Sequence, residues 1–120
     1  MRMSYDIYFK VKVENVNTYI SVGNCSANIT WNVKKLIKES SGWEIQNEEL
    51  NGLVKDLIPK LEAGLIKLIE SPEKYRKLES PNGWGTIGGV KNFYKQIVKD
   101  WNEFKLYYPE LIDVVYIYVG

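Results

Sequence analysis

A chain of 120 residues, 45% apolar and 26% charged, sits in the range of one compact domain, because two domains of half that length would each be too small to close a good core. Sixteen basic against fifteen acidic side chains leave a formal net charge of +1, which provides no long-range field for gathering nucleic acid or an anionic membrane and excludes an acidic mimic of nucleic acid. With no histidine and one cysteine, Cys25, the chain lacks His-based acid–base chemistry, the common zinc ligand sets and an internal disulfide, and the expected location is the cytoplasm.

The first residues, Met1 to Asp6, hold no apolar run of signal-peptide length, and lysines interrupt the longer apolar stretches, so neither secretion nor a membrane span is expected. From Tyr5 to Val13 the odd positions are Tyr5, Ile7, Phe9, Val11 and Val13, while the even ones are Asp6, Tyr8, Lys10 and Lys12. That period of two predicts a half-buried strand. The turn residues Asn15 and Asn17 precede Thr18 to Val22, which reads as a second strand folding back as a hairpin, ended by Gly23-Asn24. Beyond it, Ile29, Val33, Leu36 and Ile37 recur at helical spacing, with Asn28 as N-cap and Ser40-Ser41-Gly42 as the stop. Trp43 to Leu50 has mixed character and reads as an irregular or briefly structured link.

The longest periodic element follows, a stripe of Leu53, Val54, Leu57, Ile58, Leu61, Leu65, Leu68 and Ile69 that marks the core helix. Pro59 within it predicts either a kink or a new helix start, since it removes a backbone donor and crowds the carbonyl of Lys55. Ser71-Pro72-Glu73 opens a short helix. Thr86 caps the last long one, whose stripe is Val90, Phe93, Tyr94, Ile97, Val98, Trp101 and Phe104, closed by Tyr108-Pro109. The tail from Ile112 to Val119 is β-branched and aromatic, a strand that requires cover on both faces or a central place beside the first strand. These elements predict an α+β fold, residues 1–120 as a single domain, with a three-stranded, mainly antiparallel sheet (the N-terminal hairpin plus the C-terminal strand) packed by three main helices.

No complete catalytic signature is present. The acids read as solvated helix faces, and no set of them has the spacing of a two-carboxylate site or a metal loop. Ser71 and Lys74 match a Ser-x-x-Lys pattern only formally, because a capped helix start explains them, and Cys25 has no base to activate it. The expectation is a protein that is not an enzyme and uses no metal or cofactor. The suggestive region is the loop Ser80 to Thr86 with Gly88 and Gly89 after it, where helix-start amides attract phosphate or carboxylate and Trp84 offers a stacking surface. It lacks the lysine and hydroxyl of a Walker loop. If the helix beginnings converge on one edge of the sheet, then Asn28, Thr30, Trp31, Asn51, Asn82, Trp84, Gly85 and Thr86 form a rim of neutral donors and acceptors walled by two indoles. The alternative for each asparagine is that it serves its own turn.

The runs Tyr5-Asp6-Ile7-Tyr8-Phe9, Asn28-Ile29-Thr30-Trp31-Asn32-Val33, Asn51-Gly52-Leu53 and Asn82-Gly83-Trp84-Gly85-Thr86 resemble a group of small, mostly uncharacterised phage- and prophage-encoded proteins. The resemblance carries no catalytic residue. It implies a protein acting on the host, either by sequestering a small anionic or nucleotide ligand such as a defence signal at the asparagine and tryptophan rim, or as an anti-defence inhibitor that binds a host protein. Neither reading involves a membrane or sequence-specific nucleic acid. An open sheet face carrying Tyr8, Lys10 and Lys12 would also allow a homodimer.

Overall fold

The period-two stretch forms the longest strand, β1 (Ser4–Lys12), in the computed structural model, which describes residues 4–81, 83 and 85–120. Tyr5, Ile7 and Phe9 are buried on one face while Tyr8 and Lys12 are exposed on the other, as the alternation requires. β2 (Tyr19–Ser21) returns antiparallel, Lys12 opposite Tyr19 and Lys10 opposite Ser21. The same edge is then taken by β3 (Asn28–Thr30), Asp6 opposite Asn28 and Ser4 opposite Thr30. Bonds from Val22 N to Phe9 O (2.8 Å) and from Ile7 N to Ala27 O (3.1 Å) carry the ladder toward the gap between them.

The other edge of β1 belongs to β5 (Tyr116–Val119), with Phe9 opposite Ile117 and Tyr8 opposite Tyr118. β4 (Glu49–Leu53) pairs antiparallel with the far side of β5, so the order is β2-β1-β5-β4 with β3 alongside β1. The C-terminal strand therefore lies inside the sheet and beside the first, where its apolar character puts it. Ile117 and Val119 are buried beneath the helices, and Tyr116 and Tyr118 face outward.

Four helices among the described residues cover the inner face: α1 (Lys34–Ser41), α2 (Val54–Glu70), the short α3 (Pro72–Arg76) and α4 (Ile87–Tyr107). The α4 stripe fills the centre. Phe9 meets Trp101 edge-on at 5.7 Å and Phe104 at 5.9 Å, and Trp101 stacks on Phe104 at 5.4 Å. Such ring pairs contribute roughly 0.5–1.5 kcal/mol each beyond the area they bury. Between α1 and α4 the buried Ser40 hydroxyl and Tyr94 phenol satisfy one another at 2.7 Å. Gly42, at φ 79°, closes α1 as the left-handed residue that glycine supplies most readily.

Four expectations are corrected. The sheet has five strands among the described residues rather than three. Asn28 caps no helix: Asn28–Thr30 is a strand, Trp31–Val33 a 3₁₀ turn, and α1 begins only at Lys34. Ile29 and Val33 are both buried at a spacing that mimics a helix, while the alternation of Ala27 and Ile29 is too short to stand out in the sequence. The link before the core helix ends in β4, where Leu53 completes a strand instead of opening the helix stripe. β4 lacks the usual β-branched residues and exists because β5 offers an unpaired edge, which it follows with an irregularity at Gly52, φ 91°. α2 runs on past Pro59 rather than beginning anew there, and Pro59 and Lys55 both lie on its exposed side.

The tightest helix crossing is at Gly64. A Cβ there would lie 2.9 Å from the Ser41 Cβ, 3.1 Å from the Ser41 Cα and 3.1 Å from a Tyr94 ring carbon. An alanine in an open helix interior is favoured by about 1 kcal/mol over glycine. Here the backbone of α1 has to move, so Gly64→Ala is expected to destabilise the fold by ~1–3 kcal/mol, read as a lowered urea midpoint at unchanged slope.

Candidate functional site

The loop before α4 and the 3₁₀ turn after β3 meet. At Gly85, φ 85°, a Cβ would stand 2.7 Å from Val33 Cγ1 and 2.8 Å from Asn32 Oδ1, so only glycine lets the two segments approach this closely. The Thr30 hydroxyl donates to the same Asn32 Oδ1. Thr30, Trp31, Gly85 and Thr86 are thus brought to one region, at the β3 end of the molecule. Asn28 lies on the adjacent β3, exposed and opposite Asp6. Asn82 and Trp84 lie outside the described residues.

Thr86 caps α4 as the sequence implies, its hydroxyl accepting from Gly89 N at 3.0 Å. The chain also supplies its own anion: a Glu79 carboxylate oxygen accepts from Ile87 N at 2.8 Å. A carboxylate at this position is what the exposed amides and the helix dipole attract, so the start of α4 already holds a charge of the sign a phosphate would bring. Trp31 is different. It is half-buried, and its indole N–H, shielded from solvent, has no hydrogen-bond partner among the described residues.

Asn51 does not join this group. β4 is separated from β1 and β3 by β5, and the Asn51 amide holds the turn that leads into β4. Its Oδ1 accepts from Gln46 N at 2.8 Å and Trp43 Nε1 at 3.2 Å, and its Nδ2 donates to Gln46 O at 3.0 Å and Glu49 O at 2.8 Å. Both donors and both acceptor positions of the amide are taken, so the residue has no capacity left for a ligand. A polar cleft of about 400 Å³ bordered by Asn51, Asp56 and Lys60 opens beside it.

Two further surfaces stand out, the open sheet face that the sequence marks with Tyr8, Lys10 and Lys12 and a helix-side groove that went unassigned in the sequence. On the outer sheet face, Lys10 Nζ rests 3.9 Å above the Tyr118 ring and 5.9 Å from that of Tyr8, and Tyr19 meets Tyr116 edge-on at 5.7 Å. On the helix side, an apolar groove of about 570 Å³ runs between α2 and α4, floored by Leu65, Ile66, Val98 and Leu106. The signal for it is the cluster Leu65, Ile66, Leu68 and Ile69, which covers more of α2 than one buried stripe requires.

The strand interruption around Cys25 is tied to α4 by Asp100, a buried acid whose carboxylate accepts from Ser26 N at 3.0 Å and Gln96 Nε2 at 2.9 Å. Burial pushes the Cys25 thiol up to about 12, a hydrogen bond with the Ala27 backbone opposing the shift and the Asp100 charge adding to it. Among the described residues no group of three or more His, Cys, Asp or Glu is arranged to hold a metal ion, and no helix is long and apolar enough to cross a membrane. Comparison with protein-family models, with curated proteins and with solved structures gives no match.

Asn51→Ala strips the buried Trp43 indole of its acceptor and frees two backbone groups of Gln46, and is expected to cost about 2–3 kcal/mol in a urea titration. The raised thiol pKa means that below the unfolded value, near 8.5, Cys25 contributes its full share of stability, which is lost as pH climbs from there through about 12. Thiol alkylation at pH 8.5 should accordingly run about a thousandfold slower in the native protein than in urea, as followed by intact mass.

Proposed function

We propose that the chain is a non-enzymatic binding protein that takes a small ligand of the nucleotide class where the 3₁₀ turn after β3 meets the loop before α4. The observation that carries this reading is the Trp31 indole N–H, closed off from water and without a partner, next to the close approach of Gly85 to Asn32. A buried donor left unpaired costs about 1–3 kcal/mol, which a ligand acceptor would recover on binding. With Glu79 already at the start of α4, the ligand is held by neutral donors and an aromatic wall, and any phosphate reaching that helix has to displace the carboxylate. Sequestration of a host defence signal by a phage-type protein fits such a site, since it asks for tight binding and no chemistry.

A second reading, inhibition of a host protein by direct contact, is favoured by the exposed aromatic side chains. Tyr107 is 77% and Tyr108 43% exposed at the end of α4, and Tyr8 is 39% exposed on the open sheet face. Large rings of this kind dominate protein interfaces when they are free to be buried.

A panel of linear and cyclic nucleotides, titrated while tryptophan fluorescence and melting temperature are followed, separates the readings. A ligand at a hundred times its Kd should stabilise the fold by about 2.7 kcal/mol. Trp31→Phe, which keeps a ring but removes the N–H, is expected to weaken that ligand about tenfold without lowering the stability of the free protein. The absence of any shift across the panel would sink the small-ligand reading and leave the protein partner.

A further inference from the structure

We infer that the groove between α2 and α4 is the contact between two copies of this chain. α2 buries Leu57, Leu61 and Leu68 toward the core, yet its C-terminal half also carries Ile66, 53% exposed, and Ile69, 55% exposed. The apolar arc of this half is therefore wider than the core covers, and its outer edge stands in water. Across the groove α4 contributes Val98 and Leu106, the latter 80% exposed, so aliphatic side chains from both helices stand in water along one channel.

The charges on the rim decide what covers it. Glu62 and Glu103 supply two negative charges, Lys95 and Lys99 two positive ones, and the rim is neutral. A strongly acidic or basic partner segment therefore gains nothing there. Among the described residues the ion pairs are Lys38–Glu44, Lys55–Asp113 and Glu73–Arg76, so none of the four rim charges is used inside the chain. Lys99 and Glu103 are four residues apart and lie one turn from each other on α4. A two-fold axis between them sets Lys99 of one copy opposite Glu103 of the second and repeats the pair on the other side, with Leu106 of each copy carried over the aliphatic channel. One surface satisfying itself in this way is an isologous contact, the commonest form of assembly.

Sedimentation velocity of the full chain from 5 to 500 µM tests the inference. The expected result is a concentration-dependent rise toward twice the 14.0 kDa of the monomer. Leu106→Glu should weaken association at least tenfold. Lys99→Glu and Glu103→Lys should each weaken it, and the double exchange should restore it, because the swapped charges again meet across the axis. Far-UV circular dichroism melts of all variants are expected to stay near the wild type, since each exchanged residue lies on the rim or in water. A mass of 14.0 kDa at every concentration overturns the inference, as does a dimer indifferent to Leu106→Glu or a double exchange that fails to rescue.

Discussion

Everything in this molecule is arranged around β1 being paired along both edges. One edge is filled by β5, extended by the reciprocal bonds of Asp6 with Gly120 at 2.8 and 3.1 Å. The other is filled by a single stretch of chain that pairs twice, as β2 and as β3. From Lys10 to Asp6 the ladder advances four positions along β1, while from Ser21 to Asn28 it advances seven along its partner. Three extra residues must leave the sheet, and they leave toward α4. Gly23 takes φ 63° against the ring of Phe104, Ser26 is held by Asp100, and Cys25 is carried into a half-buried position against the core. The Asp100 carboxylate is placed on α4 to receive backbone that the ladder cannot pair, which is how a buried acid is tolerated at all.

With the helices on one face only, this arrangement leaves two broad surfaces in water. The sheet protects its outer face with its own side chains: Tyr8, Tyr118 and Lys10 lean on one another, and Tyr19 leans on Tyr116, so the rings shield the strands while their hydroxyls stay wet. The helix side has no comparable device. Leu65, Ile66 and Leu106 are aliphatic and have no polar end to offer the solvent. The two faces thus follow different rules, aromatic rings with polar ends on one and bare aliphatic side chains on the other.

Much of this architecture was legible in the residues. The alternation from Tyr5 to Phe9, the stop at Gly42, the cap at Thr86 and the inner place of the C-terminal strand follow from local chemistry, because each depends on neighbours within a few positions. β3 and β4 were not legible, since both are strands only because an edge of β1 or β5 awaits them. Pairing partners 20 or more residues away leave no periodic trace in three to five residues. The same limit applies to the rim of amides. Its members are the right residue types, yet the fold parts Asn51 from Thr30 by placing β5 and β1 between their strands.

An amide-rich rim also differs from one with capacity to spare, and the hydrogen bonds distinguish the two. Asn51 is saturated by its own turn, the Asn32 carbonyl is taken up by Thr30, and the first amide of α4 is answered by Glu79 from eight residues earlier. Each of these groups gains stability for the fold by giving up its availability to a ligand. The Trp31 N–H has made no such exchange. Because an unpaired buried donor raises the energy of the free protein, the acceptor that reaches it gains more than it would at a wet surface. The binding reading therefore rests on a single indole rather than on the glycines and asparagines near it in the chain, whose own bonds and close approaches serve the fold.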